Sequence, residues 1–246
     1  MPTFRHGKNT VVNFSSYDLT TYLTSTGSSQ SVDMLETTAF GSTNKTYKPS
    51  LQDGTLSFEG LWAGDTSGVD EVLAAAIGAS TPKIITVGPE GGAIGRRATL
   101  AYTNQTSYEV KSGIADLVSI TAQANVTGTV EGLDRGVLLA ASQVISATVN
   151  NSSVDNTVSS ANGGVAHLHV PVNSRNGAVT VKVQHSANNS TWADLVTFTP
   201  TTNGAITSER IEVAAGTSVN RYTRAIVSGF AGSTGSVTIT VGFARR

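Results

Sequence analysis

Residues 117–126 alternate without a break: Val118, Ile120, Ala122, Ala124 and Val126 point one way, and Ser119, Thr121, Gln123 and Asn125 the other. A period of two marks a strand with one face on a core and the other in water. The pattern recurs at residues 54–62, where Leu56, Phe58 and Gly60 oppose Thr55, Ser57 and Glu59. It returns in Leu168, Val170 and Val172, in Val179, Val181 and Val183, and in Val237, Ile239, Val241 and Phe243. Further strands are expected at residues 10–14, 30–37, 83–87, 97–102, 107–111 and from Thr129 towards Leu139. Asn176-Gly177, Asn203-Gly204 and the stretch from Gly232 to Gly235 supply turns. Abundant Thr and Val, stiff at χ1, suit a pleated surface. The chain reads as mainly β.

A single helical period interrupts this. Val69, Val72, Leu73, Ala76 and Ile77 share one face at three- and four-residue spacing. Asp70 and Glu71 suit the positive end of the helix dipole, Ser67 is placed as N-cap, and Gly78 with Pro82 gives the stop. About three turns are expected, enough to cover one face of a sheet. Residues 38–53 lack periodicity and carry Gly41, Asn44, Pro49 and Asp53, so they are expected as a long loop. A structureless loop of that length in a compact domain calls for a function.

The texture changes near residue 140. Residues 146–164 are mostly Asn, Ser, Thr, Val and Gly, with one charge at Asp155. The expected division is 1–140, a β-sandwich or barrel flanked by the helix, and 141–246, a β-sandwich of short strands, Ig-like or jelly-roll-like. The first segment holds 9 Lys+Arg against 13 Asp+Glu, a net of −4; the second holds 7 against 4, a net of +3. Only 13% of all residues are charged and the whole chain is at −1. Such a surface favours association and offers no basic field for a dedicated nucleic-acid binder.

Catalytic chemistry finds little to work with. The absence of cysteine removes disulfides, thiolate metal sites and cysteine nucleophiles. The longest apolar run, residues 72–79, falls well short of the roughly 20 a membrane helix needs. The opening Met-Pro-Thr-Phe-Arg-His has no apolar secretory core, so a soluble protein of a reducing compartment is expected. His167 and His169 leave the same face of a strand, and with His185 a metal site can be drawn. No acidic residue lies near in sequence to orient the rings, so exposed strand histidines are expected instead. Serine hydrolysis lacks a Gly-x-Ser-x-Gly elbow, and His6 is the one histidine in residues 1–140. The stretch from Gly88 to Gly95 lacks the Lys-Ser/Thr of a phosphate loop. No spacing selects a carboxylate pair for glycoside cleavage. Trp192 is expected to cap the sandwich core, with stacking on a sugar as the alternative. Arg96-Arg97 and Arg245-Arg246 read as solvated strand ends or interface contacts. No enzyme activity, metal or cofactor is expected.

Residues 37–62 read TTAFGSTNKTYKPSLQDGTLSFEGLW. This stretch resembles the tail tube (major tail) proteins of long, non-contractile-tailed bacteriophages. Thr38, Phe40, Gly41, Lys45, Tyr47, Pro49, Leu51, Asp53, Gly54 and Gly60 fit the family pattern, whereas Ser42 stands where Asp is common and Ser50 where Gly is common. The likeness continues through Pro89-Glu-Gly-Gly and residues 117–132. The segment 181–195 and the closing VTITVGFARR resemble the decoration domain that some of these proteins carry.

The resemblance implies a structural virion protein, made in the host cytoplasm, whose hexameric rings stack into a tube that conducts double-stranded DNA without sequence-specific binding. It implies tape-measure, terminator and distal tail proteins as partners, and a decoration domain of mildly positive charge facing outward. Phe40, Lys45, Tyr47, Pro49, Leu51 and Asp53 are expected at the contact between subunits or rings, since apolar groups on a loop call for burial. The alternatives are a carbohydrate-binding or adhesin module using the sandwich, and another ring-forming tail component.

Overall fold

The computed structural model describes residues 5–128 and 132–246. The mainly β expectation holds, with antiparallel pairing throughout the strand ladders. The elements of the first half are β1 (Val11–Phe14), β2 (Tyr17–Asp18), β3 (Leu23–Glu36), β4 (Tyr47–Leu61), α1 (Val69–Ala74), β5 (Lys83–Gly88), β6 (Arg97–Lys111) and β7 (Ser119–Val126). Then come β8 (Leu133–Ile145), β9 (Val149–Asn150), β10 (Val154–Asp155), β11 (Gly164–Asn173), β12 (Val179–Ser186), β13 (Ala193–Thr197), β14 (Thr207–Val213), β15 (Tyr222–Phe230) and β16 (Val237–Arg245). The strand expected to begin at Thr129 starts, among the described residues, at Leu133, and residues 129–131 lie outside them.

The chain forms two compact units. One comprises Met1–Thr21, Ile84–Ala101 and Asp134–Arg246; the other comprises Tyr22–Lys83 and Tyr102–Leu133. The division expected near residue 140 therefore does not coincide with a break in packing. Ala140 lies fully buried in the middle of β8, and strands from both sides of it share a sheet.

In the first unit one sheet runs β14-β11-β16-β8-β6-β5-β1-β2, and a second runs β10-β15-β12-β13 with β9 also on β15. Val181, Val183, Phe198 and Val227 of the second sheet's region pack with Leu168, Ile239, Val241 and Phe243 in one core. Leu100, Leu138, Val165 and Ala244 form another cluster on the large sheet. Burial on both faces explains why β11 reads as an almost continuous buried run. The large sheet also curls on itself. β5 is separated from β11 by three strands in sheet order, yet the Thr86 hydroxyl touches both His167 and His169.

The second unit is a four-stranded sheet in the order β3-β4-β7-β6. Leu56, Phe58, Ile120, Ala122 and Ala124 are buried on its inward face, as the alternation requires. Helix α1 is tied to β6 by Tyr108 Oη donating to Asp70 Oδ1 at 2.6 Å and by Gln105 Nε2 donating to the Leu73 carbonyl at 2.9 Å. The helix is shorter than expected. Ala76 and Ile77 bond back three residues, to Leu73 and Ala74, so its last turn tightens and ends at Gly78, whose φ is +68°. Ser67 is not the cap: Gly68 holds that position, and the Glu71 carboxylate instead accepts from the Ser67 N–H at 2.7 Å.

Candidate assembly surface

The expected loop over residues 38–53 is mostly strand. β3 and β4 pair from Leu23↔Gly60 out to Glu36↔Tyr47, leaving only residues 37–46 to turn the chain. From Gly54 back to Tyr47 on β4 and throughout β3 no side chain is buried, so ladder hydrogen bonds and a few exposed polar contacts hold this distal half together. At the turn, Ser42 N–H donates to the Ala39 carbonyl at 3.2 Å and Gly41 sits at φ +86°, a conformation that disfavours a side chain. Phe40, just before it, is thrown fully into solvent. Thr46 N–H donates to Thr38 Oγ1, and Lys45 Nζ lies 3.0 Å from Glu36 Oε2.

All six residues singled out in the sequence fall on this hairpin, and all six are exposed: Phe40, Lys45, Tyr47, Pro49, Leu51 and Asp53. Leu51 is 75% and Tyr47 48% exposed. Across from them, within the strand expected at 30–37, Met34 and Leu35 on β3 are 55% and 58% exposed, apolar groups with no signal in the sequence because Val32-Asp33-Met34-Leu35 does not alternate. The register shifts between Val32 and Met34: Val32 faces Gln52 while Met34 faces Pro49, which sets Ser50 and Leu51 together opposite Asp33. A second exposed apolar group, Val110, Ile114 and Leu117, lies where β6 turns into β7.

The outward face of the same sheet has the opposite character. Three rows cross it in register: Ser25, Glu59, Thr121, Glu109; Gly27, Ser57, Gln123, Ser107; Ser29, Thr55, Asn125, Asn104. Hydroxyls, amides and two carboxylates fill these rows, with no apolar side chain beyond the Thr methyls and no cation. Lys111 stands one row further on, 3.6 Å from Glu109. Both lateral edges are open. Among the described residues β3 pairs only with β4, and β6 beyond the Ile77–Gln105 bridge pairs only with β7.

The chemical candidates resolve into structure. His167 and His169 are fully buried, against the expectation of exposure, because the curled sheet closes over that face of β11. His169 Nδ1 donates to the Ser15 carbonyl at 2.6 Å, so its Nε2 accepts from the Thr86 hydroxyl at 2.7 Å. Thr86 Oγ1 is then left to accept from His167 Nδ1 at 3.2 Å. Burial holds both rings neutral: His169 is pushed down to about 4, with Asp18 pulling the other way, and His167 is driven well below its ordinary value by burial, then by His169 and Arg210. His185 stands apart and accepts from Asn220 N–H at 3.1 Å. Among the described residues no three His, Cys, Asp or Glu side chains converge as metal ligands. Trp192 is half-buried and lies under the Arg224 guanidinium, 4.0 Å from its ring centre, with Arg224 also donating to Gln184.

No protein-family model matches the chain, and no curated protein does. Solved structures similar to it include a chain of the virion of a native gene transfer agent (GTA) particle, at 13% identity over 54% of this chain and 98% of that one, TM-score 0.42. A chain of the tail of an empty GTA particle with C6 symmetry aligns at 14% identity over 51% and 96%, TM-score 0.40. The SPP1 Dit protein, described as a paradigm of the hub adsorption apparatus in phages infecting Gram-positive hosts, aligns at 11% identity over 95% and 98%, TM-score 0.37. Identities and scores this low leave function to be argued from this chain's own residues.

Proposed function

We propose that this chain is a structural subunit of a phage-type tail whose copies close into hexameric rings and stack into a tube that passes double-stranded DNA. The observation that carries the reading is the second unit's sheet. It has two open edges, one polar cation-poor face and a protruding apolar hairpin. Open edges of this length are a liability in a lone molecule, and joining β3 of one copy to β6 of the next removes them. Ring closure then turns the rows through Glu59, Ser57 and Thr55 towards the bore. A conduit for a polyanion avoids basic contacts, since each phosphate neutralised by Lys or Arg tightens the hold. The hairpin with Phe40, Tyr47, Pro49 and Leu51 is left to dock on the adjacent ring, and the β10-β15-β12-β13 sheet to decorate the outside. Chemistry is not the role: the work is assembly and passage, within the virion.

Negative-stain electron microscopy of the concentrated full-length protein, with native mass, tests this. Hollow six-fold rings or tubes are expected. A species that stays monomeric at every concentration, including with preformed tails offered as seeds, overturns it. Rings that never stack point to a ring-forming tail component instead of a tube.

A further inference from the structure

Charge divides between the two compact units far more sharply than along the sequence. The unit made of Tyr22–Lys83 and Tyr102–Leu133 carries 4 Lys+Arg against 10 Asp+Glu, a net of −6. The unit made of the remaining three segments carries 12 against 7, a net of +5. Several of these cations are paired internally. Arg221 holds Asp155, Lys182 holds Asp194, and Arg246 holds Asp134. Arg97 and Arg135 are different. They flank a cavity of about 320 Å³ lined also by Pro89, Ala98, Thr99 and Gly136.

The placement follows from the ladder. Leu138 N–H donates to the Arg96 carbonyl and Gly95 N–H to the Leu138 carbonyl, so β6 and β8 run antiparallel there. Continuing that register sets Thr99 opposite Arg135, with Arg97 two residues along on the same face. Both arginines are exposed, and neither guanidinium meets a carboxylate among the described residues. Glu90 spends one oxygen on the Arg97 backbone N–H at 3.3 Å, and Asp134, beside Arg135 in sequence, is held by Arg246. Two unspent forks beside an apolar floor suit a carboxylate borne on an apolar segment.

The acidic unit supplies such a segment. Some of its carboxylates are engaged: Glu36 with Lys45, Asp70 with Tyr108, Glu71 with the Ser67 N–H, Glu109 with Lys111. Asp33 has no partner among the described residues, sits at the register shift, and is flanked by exposed Val32, Met34 and Leu35 on an open edge. We infer that the cleft between Arg97 and Arg135 receives Asp33 and its apolar neighbours from a second copy of this chain. The join is head-to-tail, acidic unit to basic unit. A heterologous contact of this kind repeats without using itself up, which is what a growing stack needs. The inference rests on the self-assembly proposed above and names the contact that carries it.

The test is the onset concentration of assembly of the full-length protein, followed by light scattering and sedimentation at low and high salt. Assembly is expected to weaken with salt. Arg97→Glu with Arg135→Glu, or Asp33→Arg alone, is expected to raise the onset on the order of ten-fold. Combining them in one chain is expected to restore it. Arg97→Gln with Arg135→Gln, a milder change, gives an intermediate loss and guards against misfolding, which unchanged circular dichroism and melting also check. Wild-type assembly with the charge-reversed variants assembling equally well overturns this contact and leaves the proposed function standing. A wild type that never assembles, seeded or not, overturns both.

Discussion

The Thr86 hydroxyl lies 2.7 Å from His169 Nε2, although three strands separate β5 from β11 in the sheet. One hydroxyl thereby serves two buried imidazoles and pins the curl of the large sheet. Thr86→Val keeps the shape and removes both contacts. Leaving buried acceptors and donors unpaired costs about 1–3 kcal/mol, so a melting midpoint several degrees lower is expected, with the fold retained. An unchanged midpoint would show that the pairings contribute nothing.

Acid should act at the same place. In the unfolded chain both histidines take a proton near 6.5, whereas burial keeps His169 neutral down to about 4 and holds His167 well below its ordinary value. As pH falls the unfolded state binds protons first, so stability is full above about pH 6.5 and is lost as pH drops from there towards 4. Melting followed from pH 8 to 4 should show this fall. His169→Gln should flatten it, and an identical pH profile in that variant would sink the assignment.

On the hairpin, the residues that matter for association should be silent in the monomer. Phe40→Ser with Leu51→Ser removes side chains that lie fully and mostly in solvent, respectively. Melting is expected to shift by less than about 0.5 kcal/mol equivalent, while the onset of ring or tube formation rises at least several-fold. Equal assembly by this variant, seen by electron microscopy, would remove the hairpin from the interface.

Reversing the charge of the polar face tests the conduit. Glu59→Lys with Glu109→Lys places cations in one row with Thr121 and Ser25. Tubes of the variant are expected to retain double-stranded DNA at low salt and release it as salt rises, and wild-type tubes not to retain it. Binding that is the same for both would place these rows away from the bore.

The fragment 141–246 should not fold alone. Its sheet draws β1, β5, β6 and most of β8 from earlier in the chain, and both buried histidines lose Thr86 and Ser15. Circular dichroism of the fragment is expected to lack a cooperative melt; a sharp transition would show that residues 141–246 are self-sufficient.

What could be read in the sequence was what packing imposes locally. Leu56, Phe58, Ile120, Ala122 and Ala124 alternate because one face of their strands is buried, and they were legible for that reason. The strand expected at 30–37 does fall on β3, but the distal half of β4 was not legible, since no residue there is buried and packing demands nothing of its side chains. His167 and His169 looked exposed because the groups that cover them, Thr86 and Ser15, are 81 and 154 residues away. Texture suggested a boundary at 140, but the order of strands in a sheet leaves no local trace. The six hairpin residues were picked out by likeness to a motif. The polar rows needed the register of four strands, two of them far along the chain from the others.

Those rows bear on more than repulsion. A long polymer drawn past a wall is slowed less by its average attraction than by unevenness, the depth of each well it must climb out of. Serine, threonine, asparagine and glutamine repeat along this face at strand spacing, and no guanidinium, ammonium or aromatic ring breaks the three rows. Two of the rows carry no charge at all, and the third adds only the repelling carboxylates of Glu59 and Glu109. As the wall of the proposed bore, such a surface would offer a passing chain no attractive well, and its composition would be plain for the same reason a bearing is smooth.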